Sequence, residues 1–370
     1  MRVLYFIPSF SSGGAEAFIV NLIEKLDRKQ FTPELLCIDA VPGVYNSRLE
    51  RLGIEIQTLT ENNISNPVIR YAKAYKAFSQ FIQANNGKYD VIHFNIAQGE
   101  ELPFIHMAKK AEIPVRILHS HNSSVNSRVK YLGHILCKAI YKNDSTDYLA
   151  CSDIAAKWLL SAEEYKQKNY RVIKNGVDVE KYRFQEESRE KKREELDIGD
   201  RPLFLNIGRL NRQKNQSFLI DAFQRIHHSI PSSLLLIAGE GDLRQELEKK
   251  TKDCGLQDSI RWLGNRNDIH ALLSAADVFL LPSLFEGLPY TIIEAQISGI
   301  RCVISDTISE ECVITDLVQR VELEAERYAK KAVEAFNYRI KDRSVYAALV
   351  SEAGFDIHRT VSEMEAIYNK

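Results

Sequence analysis

Short runs of β-branched and aromatic residues alternate along this chain with longer stretches whose apolar positions recur every three to four residues. In the first half, the runs predict strands over 2–7, 31–38, 54–59, 89–94, 114–118, 146–150 and 170–173. Amphipathic stretches between them, at 14–26, 66–85 and 127–142, predict helices. The alternation stops near 175–200, at the turn Asn175-Gly176 and the charged run Glu186–Glu195. That run reads as a solvated helix held by charge pairs three and four residues apart. Strands resume over 203–207, 233–238, 259–263, 277–281 and 301–304, and the chain closes in helical sequence over 324–337, 343–352 and 356–368. Strands alternating with helices form parallel βαβ units, so the pattern predicts an α/β protein of two doubly wound parallel sheets. The expected domains are 1–182 and 183–354, followed by a last helix at 355–370. A cleft between two such sheets is expected, with ligands beyond the carboxyl ends of the strands.

Composition narrows the class. The 370 residues exceed one ordinary core, and 45% hydrophobic with 27% charged residues is a globular balance. A net charge of -1 gives no field to attract nucleic acid. Residues 1–182 nevertheless carry +4 and the remainder -5, which suits either an anionic partner or membrane surface for the first half or merely uneven, solvated surfaces. The six cysteines form no CxxC pair and read as buried free thiols of a reducing compartment. Met1 runs straight into Val3–Ile7 without signal-peptide character, and no apolar stretch reaches the ~20 residues of a membrane span. The expected location is cytoplasmic, with at most a peripheral contact at the inner face of the membrane.

Candidate chemistry sits where strands end. Gly13-Gly14-Ala15-Glu16 follows the first strand and opens a helix, whose free N–H groups favour phosphate or developing negative charge. It is not GxGxxG, so the dinucleotide fingerprint of an NAD-dependent oxidoreductase is missing. Gly208-Arg209-Leu210 with Lys214-Asn215 places two cations beyond a strand, able to clamp a diphosphate. Gly239-Glu240-Gly241 suits close backbone approach. In the segment Pro282–Ala295, Glu286 is expected in a loop and Glu294 inside a helix over about 289–298 opened by Pro289, each able to accept from sugar hydroxyls. His119 and His121 end another strand; their HxH spacing also suits a metal, but no third ligand cluster lies nearby in sequence. No two aspartates stand two apart, so the Asp-x-Asp that often holds a divalent ion on a sugar nucleotide is absent, and Arg209 and Lys214 are expected to neutralise the diphosphate instead.

Taken together, these motifs resemble the retaining glycosyltransferase family 4, in its bacterial capsule and exopolysaccharide branch. Gly13–Glu16, Asn175–Asp178, Gly208–Leu210 with Lys214-Asn215, Gly239–Gly241, and Glu286 and Glu294 separated by seven residues carry the likeness, joined by Arg116–Asn122 and Ile304–Ser309. The resemblance implies the two-Rossmann-domain GT-B architecture, with the last helix returning to the first domain. It implies that Arg209 and Lys214 bind the donor diphosphate and that Glu294 holds the ribose. Glu286 would contact the hexose, the backbone of Gly287 and Leu288 would meet sugar or phosphate, and Arg266 would lie near the base. Gly14 would face the donor from the first domain, with His121, or else His119, reaching the hexose or acceptor. One departure is Ile300-Arg301 after Gly299, where the family often has a proline.

The expected activity is metal-independent, retaining transfer of a hexose or N-acetylhexosamine from a nucleotide sugar, UDP-linked, to a hydroxyl of a lipid-linked glycan. Catalytic roles fall to Glu286, His121, Arg209 and Lys214; Gly14, Gly239, Arg266, Gly287, Leu288 and Glu294 are expected to bind the donor. The stretch Arg128–Lys138 with Lys142 mixes basic and apolar residues and is a candidate membrane contact, or else a helix packed on the sheet. A UDP-amino-sugar epimerase of the same architecture and a non-catalytic sugar-nucleotide-binding partner are the competing readings.

Overall fold

The apolar runs fold into parallel strands, and those at the centre of each sheet, such as Val91–Ile96 and Leu203–Ile207, are buried on both faces, which is why they read as continuous rather than alternating. The structure is a computed structural model describing residues 1–370 except 12, 42, 62, 63, 65, 123–127, 142 and 339. It divides into two units: Met1–Gly176 with Ile357–Lys370, and Val177–Asp356.

The first unit holds β1 (Arg2–Phe10), β2 (Thr32–Ala40), β3 (Ile56–Thr58), β4 (Val91–Ile96), β5 (Val115–Ser120), β6 (Asp147–Ala150) and β7 (Arg171–Val172). Their order is β3-β2-β1-β4-β5-β6-β7. Successive side chains of β1 point to opposite faces. Phe6 joins Phe78, Phe94 and Phe104 under the helices Pro67–Ala84 and Leu102–Lys110. Tyr5 faces the other way, toward Tyr368 of the closing helix Ile357–Tyr368. That helix buries Ile357, Val361, Met364, Ile367 and Tyr368, and Tyr368 also meets Phe31. Close approach fixes its entry: a Cβ on Gly176 would lie 2.4 Å from Thr360 Oγ1.

The second unit holds β8 (Leu203–Ile207), β9 (Leu234–Ala238), β10 (Ile260–Gly264), β11 (Val278–Leu281), β12 (Arg301–Ser305) and β13 (Val318–Val321), in the order β10-β9-β8-β11-β12-β13. The short edge strand β13, Val-Gln-Arg-Val, has no apolar run and is an addition to the strands expected from sequence. In each sheet the order reverses beside the first strand, at β1/β4 and at β8/β11. Open α/β sheets bind ligands at that switch.

Two expectations need correction. The charged helix Glu186–Glu195 is not merely solvated: Lys192 is 8% exposed and pairs with Asp268, while Arg189 and Arg193 donate to the carbonyls of Ser274, Ala275 and Ala276 and pair with Asp277. Its cations cap the carboxyl end of the helix Ile269–Ala275, where orphan carbonyls attract positive charge. The helix expected over 343–352 is regular only over Val345–Val350 and then widens to a π turn, Ser351–Phe355, that breaks at Gly354 with φ 91°.

Candidate functional site

In the second unit, five loops at the carboxyl ends of β8 to β12 are tied to one another. Gly208 N–H donates to the Ala238 carbonyl at 3.0 Å, Leu210 N–H to Glu240 at 2.9 Å, and Gly239 N–H to Gly264 at 2.8 Å. Across the switch point, Leu284 N–H donates to the Gln213 carbonyl at 2.8 Å and Asn215 Nδ2 to Pro282 at 3.2 Å. Thr307 Oγ1 donates to the Ser283 carbonyl at 3.1 Å, tying in the loop after β12.

These ties bring Lys214 and Glu286 together. Asn215, at φ 57° in the position before the helix Gln216–Ser229, turns the chain, and Asn211 Oδ1 accepts from Lys214 N–H at 3.0 Å. The Lys214 stem then lies over Gly208, where a Cβ would come within 3.2 Å of it. Lys214 Nζ ends 2.5 Å from Glu286 Oε1, with the two side chains only 16% and 9% exposed. Gln213 Nε2 donates to the Phe285 carbonyl at 2.9 Å and reaches Glu286 Oε2 at 3.5 Å. A cation and a carboxylate so placed neutralise each other; a diphosphate would compete for Lys214, and a sugar hydroxyl could take the place the ammonium leaves on Glu286.

Glu286 and Gly287 lie in the loop after β11, and Glu294 lies in the helix Tyr290–Ile297. Pro289 is the residue before that helix, at φ -70° and ψ 124°, rather than within its first turn. Leu288 is buried. Arg209 stands exposed at the mouth of β8. Gly239 has φ 144°, and a Cβ there would sit 2.0 Å from the Gly208 carbonyl oxygen, so only glycine lets the two loops meet. Arg266 makes a bidentate pair with Asp268, at 2.8 and 2.6 Å, and approaches Glu195 at 3.7 Å. The Arg266 and Lys192 cations hold the Asp268 carboxyl well below its ordinary range against the opposing cost of burial.

In the first unit, the helix Gly14–Lys25 starts at Gly14 after Gly13. The buried Glu16 folds back over that turn: Ser11 N–H and Oγ donate to its Oε1 at 3.1 and 3.0 Å, and a Cβ on Gly13 would meet its Oε2 at 2.5 Å. The helix start therefore already carries a carboxylate, and a phosphate arriving at Gly14 would have to displace it. His121 follows β5, with Nε2 2.9 Å from Asn95 Oδ1; His119, within β5, has Nδ1 3.1 Å from His93 Nε2. Burial drives both rings toward the neutral form, His121 down to about 3 and His119 well below its ordinary value, with a lesser push from neighbouring histidines on His119. Sequence reasoning missed His93 and Asn95. The signal was present: two polar residues two apart in the otherwise apolar Val91–Ile96 share one face of a buried strand.

Among the described residues, no group of three or more His, Cys, Asp and Glu side chains is gathered as for a metal ion. All six cysteines are free, with Cys37, Cys151, Cys302 and Cys312 buried. No described helix is long and apolar enough to cross a membrane.

A family model for Glycosyltransferase Family 4 matches residues 12–181, and one for Glycosyl transferases group 1 matches 188–354. The Bacillus subtilis (strain 168) protein EpsF is 27% identical, over 100% of this chain and 96% of its own. An Escherichia coli UDP-Gal:α-D-GlcNAc-diphosphoundecaprenol α-1,3-galactosyltransferase is 29% identical over 81% of this chain and 78% of its own. The Staphylococcus aureus capsular polysaccharide biosynthesis glycosyltransferase CapH is 25% identical over 100% and 98%. Among solved structures, Anabaena HepE in complex with UDP and glucose superposes with a TM-score of 0.80 at 19% identity, covering all of both chains. Both sheets thus have the GT-B type of fold, and with the two models spanning nearly the whole sequence, the chain belongs to the family 4 glycosyltransferases.

Proposed function

We propose that this glycosyltransferase moves a hexose or N-acetylhexosamine from a UDP-sugar to a hydroxyl of a lipid-linked glycan, with retention and without a metal, in the synthesis of a bacterial surface polysaccharide. The observation that carries the donor half is the Lys214–Glu286 pair at the β8/β11 switch point, with Arg209 at the mouth of the same strand. The UDP and the lipid-linked acceptor follow the galactosyltransferase relative, whose name gives both. The surface polysaccharide follows CapH.

In this reading, Arg209 and Lys214 take the diphosphate, Glu286 the hexose hydroxyls and Glu294 the ribose. The bond from the anomeric carbon to the diphosphate oxygen breaks, and the bond to the acceptor oxygen forms on the same face. The acceptor proton passes to the departing phosphate oxygen. Preorganised cations aimed at the leaving group supply the stabilisation, the usual dominant contribution in such steps.

Thermal stabilisation of the purified protein against a panel of nucleotide sugars, with EDTA throughout, tests the donor site. A shift with one of them that is lost in Arg209→Ala supports the reading. Full transfer activity in Arg209→Ala sinks the mechanism, and donor turnover without any acceptor would indicate an epimerase instead.

A second proposal is that the helix Arg128–Tyr141 lies on an anionic lipid leaflet beside such an acceptor. Its supporting observation is a stripe of exposed apolar side chains, Tyr131, Leu132, Ile135, Leu136 and Ile140, on one helical face. The opposite face is anchored through the buried His134, whose Nδ1 accepts from Gly99 N–H at 2.8 Å. The side chains of Arg128, Val129 and Lys130, and Lys142 altogether, lie outside the described residues. Flotation with anionic liposomes should carry the protein upward, and absence of binding rejects the contact.

A further inference from the structure

Four polar side chains from β4, β5 and the residue that follows β5 lie together on the first sheet. His93 and Asn95 stand two apart on β4, as do His119 and His121 at the end of β5, and Asn95 is level with His119 in the strand register. Phe18 of the helix Gly14–Lys25 packs on the rings of His93, His119 and His121, with centroids at 6.1, 4.7 and 5.2 Å. The closing helix supplies Tyr368. Its hydroxyl donates to Tyr5 Oη at 3.1 Å and stands 2.8 Å from His93 Nδ1.

These contacts constrain where the protons sit. The Asn95 amide nitrogen donates to the His93 carbonyl at 3.1 Å, so its oxygen faces His121 Nε2 at 2.9 Å. An amide oxygen only accepts; His121 Nε2 therefore carries the hydrogen, and in a neutral ring Nδ1 is left as a lone pair. Tyr368 gives its single proton to Tyr5, so His93 donates from Nδ1 and accepts at Nε2. His119 must then donate from Nδ1, 3.1 Å away, which leaves its Nε2 as a second lone pair. That Nε2 is buried with no hydrogen-bond partner, and the His119 and His121 rings lie 4.1 Å apart. An unpartnered acceptor is also the less costly choice there than an unpartnered N–H donor would be. Burial keeps all three imidazoles from charging.

We propose that Asn95 is a positioning residue that holds His121 as a neutral hydrogen-bond acceptor, with the Tyr368–His93 pair fixing the buried His119 beside it, so that the group met at His121 is a sugar hydroxyl and not a carboxylate. The inference rests on the functional reading that His121 reaches the hexose or its acceptor. A lone pair attracts an O–H and repels a carboxylate, so the edge favours a neutral hexose over a hexuronate. Rings this hard to protonate orient the hydroxyl without removing its proton.

The test uses the full-length protein with nitrogen-15-labelled histidines. Long-range proton–nitrogen correlation should place the His121 hydrogen on Nε2 and the His119 hydrogen on Nδ1. Asn95→Asp keeps the accepting oxygen but loses the N–H given to the His93 carbonyl, and its charge holds an extra proton on His121 and turns Nδ1 into a donor. Its kcat/KM for the nucleotide hexose should fall about tenfold, the worth of one substrate hydrogen bond, carried mainly by KM. Discrimination against the matching nucleotide hexuronate should narrow in the same variant. Tyr368→Phe should leave His119 in mixed tautomers. A wild-type spectrum with the His121 hydrogen on Nδ1 overturns the proposal, as do unchanged kcat/KM and discrimination in Asn95→Asp. A wild type that turns over no nucleotide sugar overturns the functional reading instead, while the spectrum still decides the tautomers.

Discussion

Gly239 is where one missing Cβ lets the loops after β8 and β9 touch. Its φ of 144° and the Gly208 oxygen 2.0 Å from where a Cβ would stand give an alanine no relief, because the obstacle is backbone. Gly255 also has a positive φ, 70°, but nothing lies within 4 Å of its Cβ position. Gly255→Ala should therefore cost only the left-handed penalty of about 1–2 kcal/mol. Gly239→Ala should cost at least about 3 kcal/mol, lowering Tm by roughly 6–12 °C for a unit of this size, and should weaken nucleotide-sugar binding as well. Paired thermal melts of the two variants check this, and equal losses would show that the loops do not need the contact. The need for Gly239 was legible in Gly-Glu-Gly after an apolar run, whereas its partner Gly208 could not be named. Contacts across thirty residues leave no local trace. The Lys214–Glu286 pair was missed as a pair for the same reason: each residue carries its own signal, but a separation of 72 positions in sequence hides the juxtaposition.

At the scale of elements, long periodic or wholly apolar segments were readable and short polar ones were not. The strand β13 escaped because Gln319 and Arg320 fill half of it, as an edge strand allows. The charged helix Glu186–Glu195 was recognised as a helix but given the wrong surroundings, since its cations look for carbonyls more than eighty residues away. Glu101 is a case where an element stores a pH response. It stands just before the helix Leu102–Lys110, and its side chain turns back to accept from the N–H groups of Ala97 and Gln98 at 2.7 and 3.1 Å, closing the turn Gly99–Glu101. Only 4% exposed, its carboxyl is raised by burial from 4.5 to about 7, against the lowering effect of those N–H groups. The folded state thus binds this proton more tightly than the unfolded chain. That stability is complete below pH 4.5 and is lost as pH rises through 7, amounting to about 3 kcal/mol. Chemical denaturation across pH 4.5–8 should show this decline, and Glu101→Gln should flatten it. A slope unchanged by the substitution would assign the decline to other groups.

At the scale of the whole molecule, the two units differ in how the chain closes them. The first is assembled from both ends of the sequence, 1–176 and 357–370. The closing helix buries Ile357, Val361, Met364, Ile367 and Tyr368 in it. At about 1.5–3 kcal/mol per buried side chain, those five are worth on the order of 10 kcal/mol, which is comparable with the entire stability of a domain. Residues 1–176 alone should therefore not fold. The second unit is continuous, Val177–Asp356, and its own ends pair, with Val177 N–H donating to the Phe355 carbonyl at 2.8 Å. Its core, from Phe204 and Phe223 to Tyr328, is drawn wholly from within those limits. It also holds Arg209, Lys214, Glu286 and Glu294. Expressed by itself, residues 177–356 should melt cooperatively and, on the proposed assignment of the donor to this unit and of acceptor-side roles to His121 and Gly14, bind the preferred nucleotide sugar with EDTA present but transfer nothing. Calorimetric titration of that fragment checks the claim. Binding as tight as in the full chain would place the whole donor affinity in the second unit, whereas a folded fragment that binds no nucleotide sugar would show that the first unit contributes the contacts that matter.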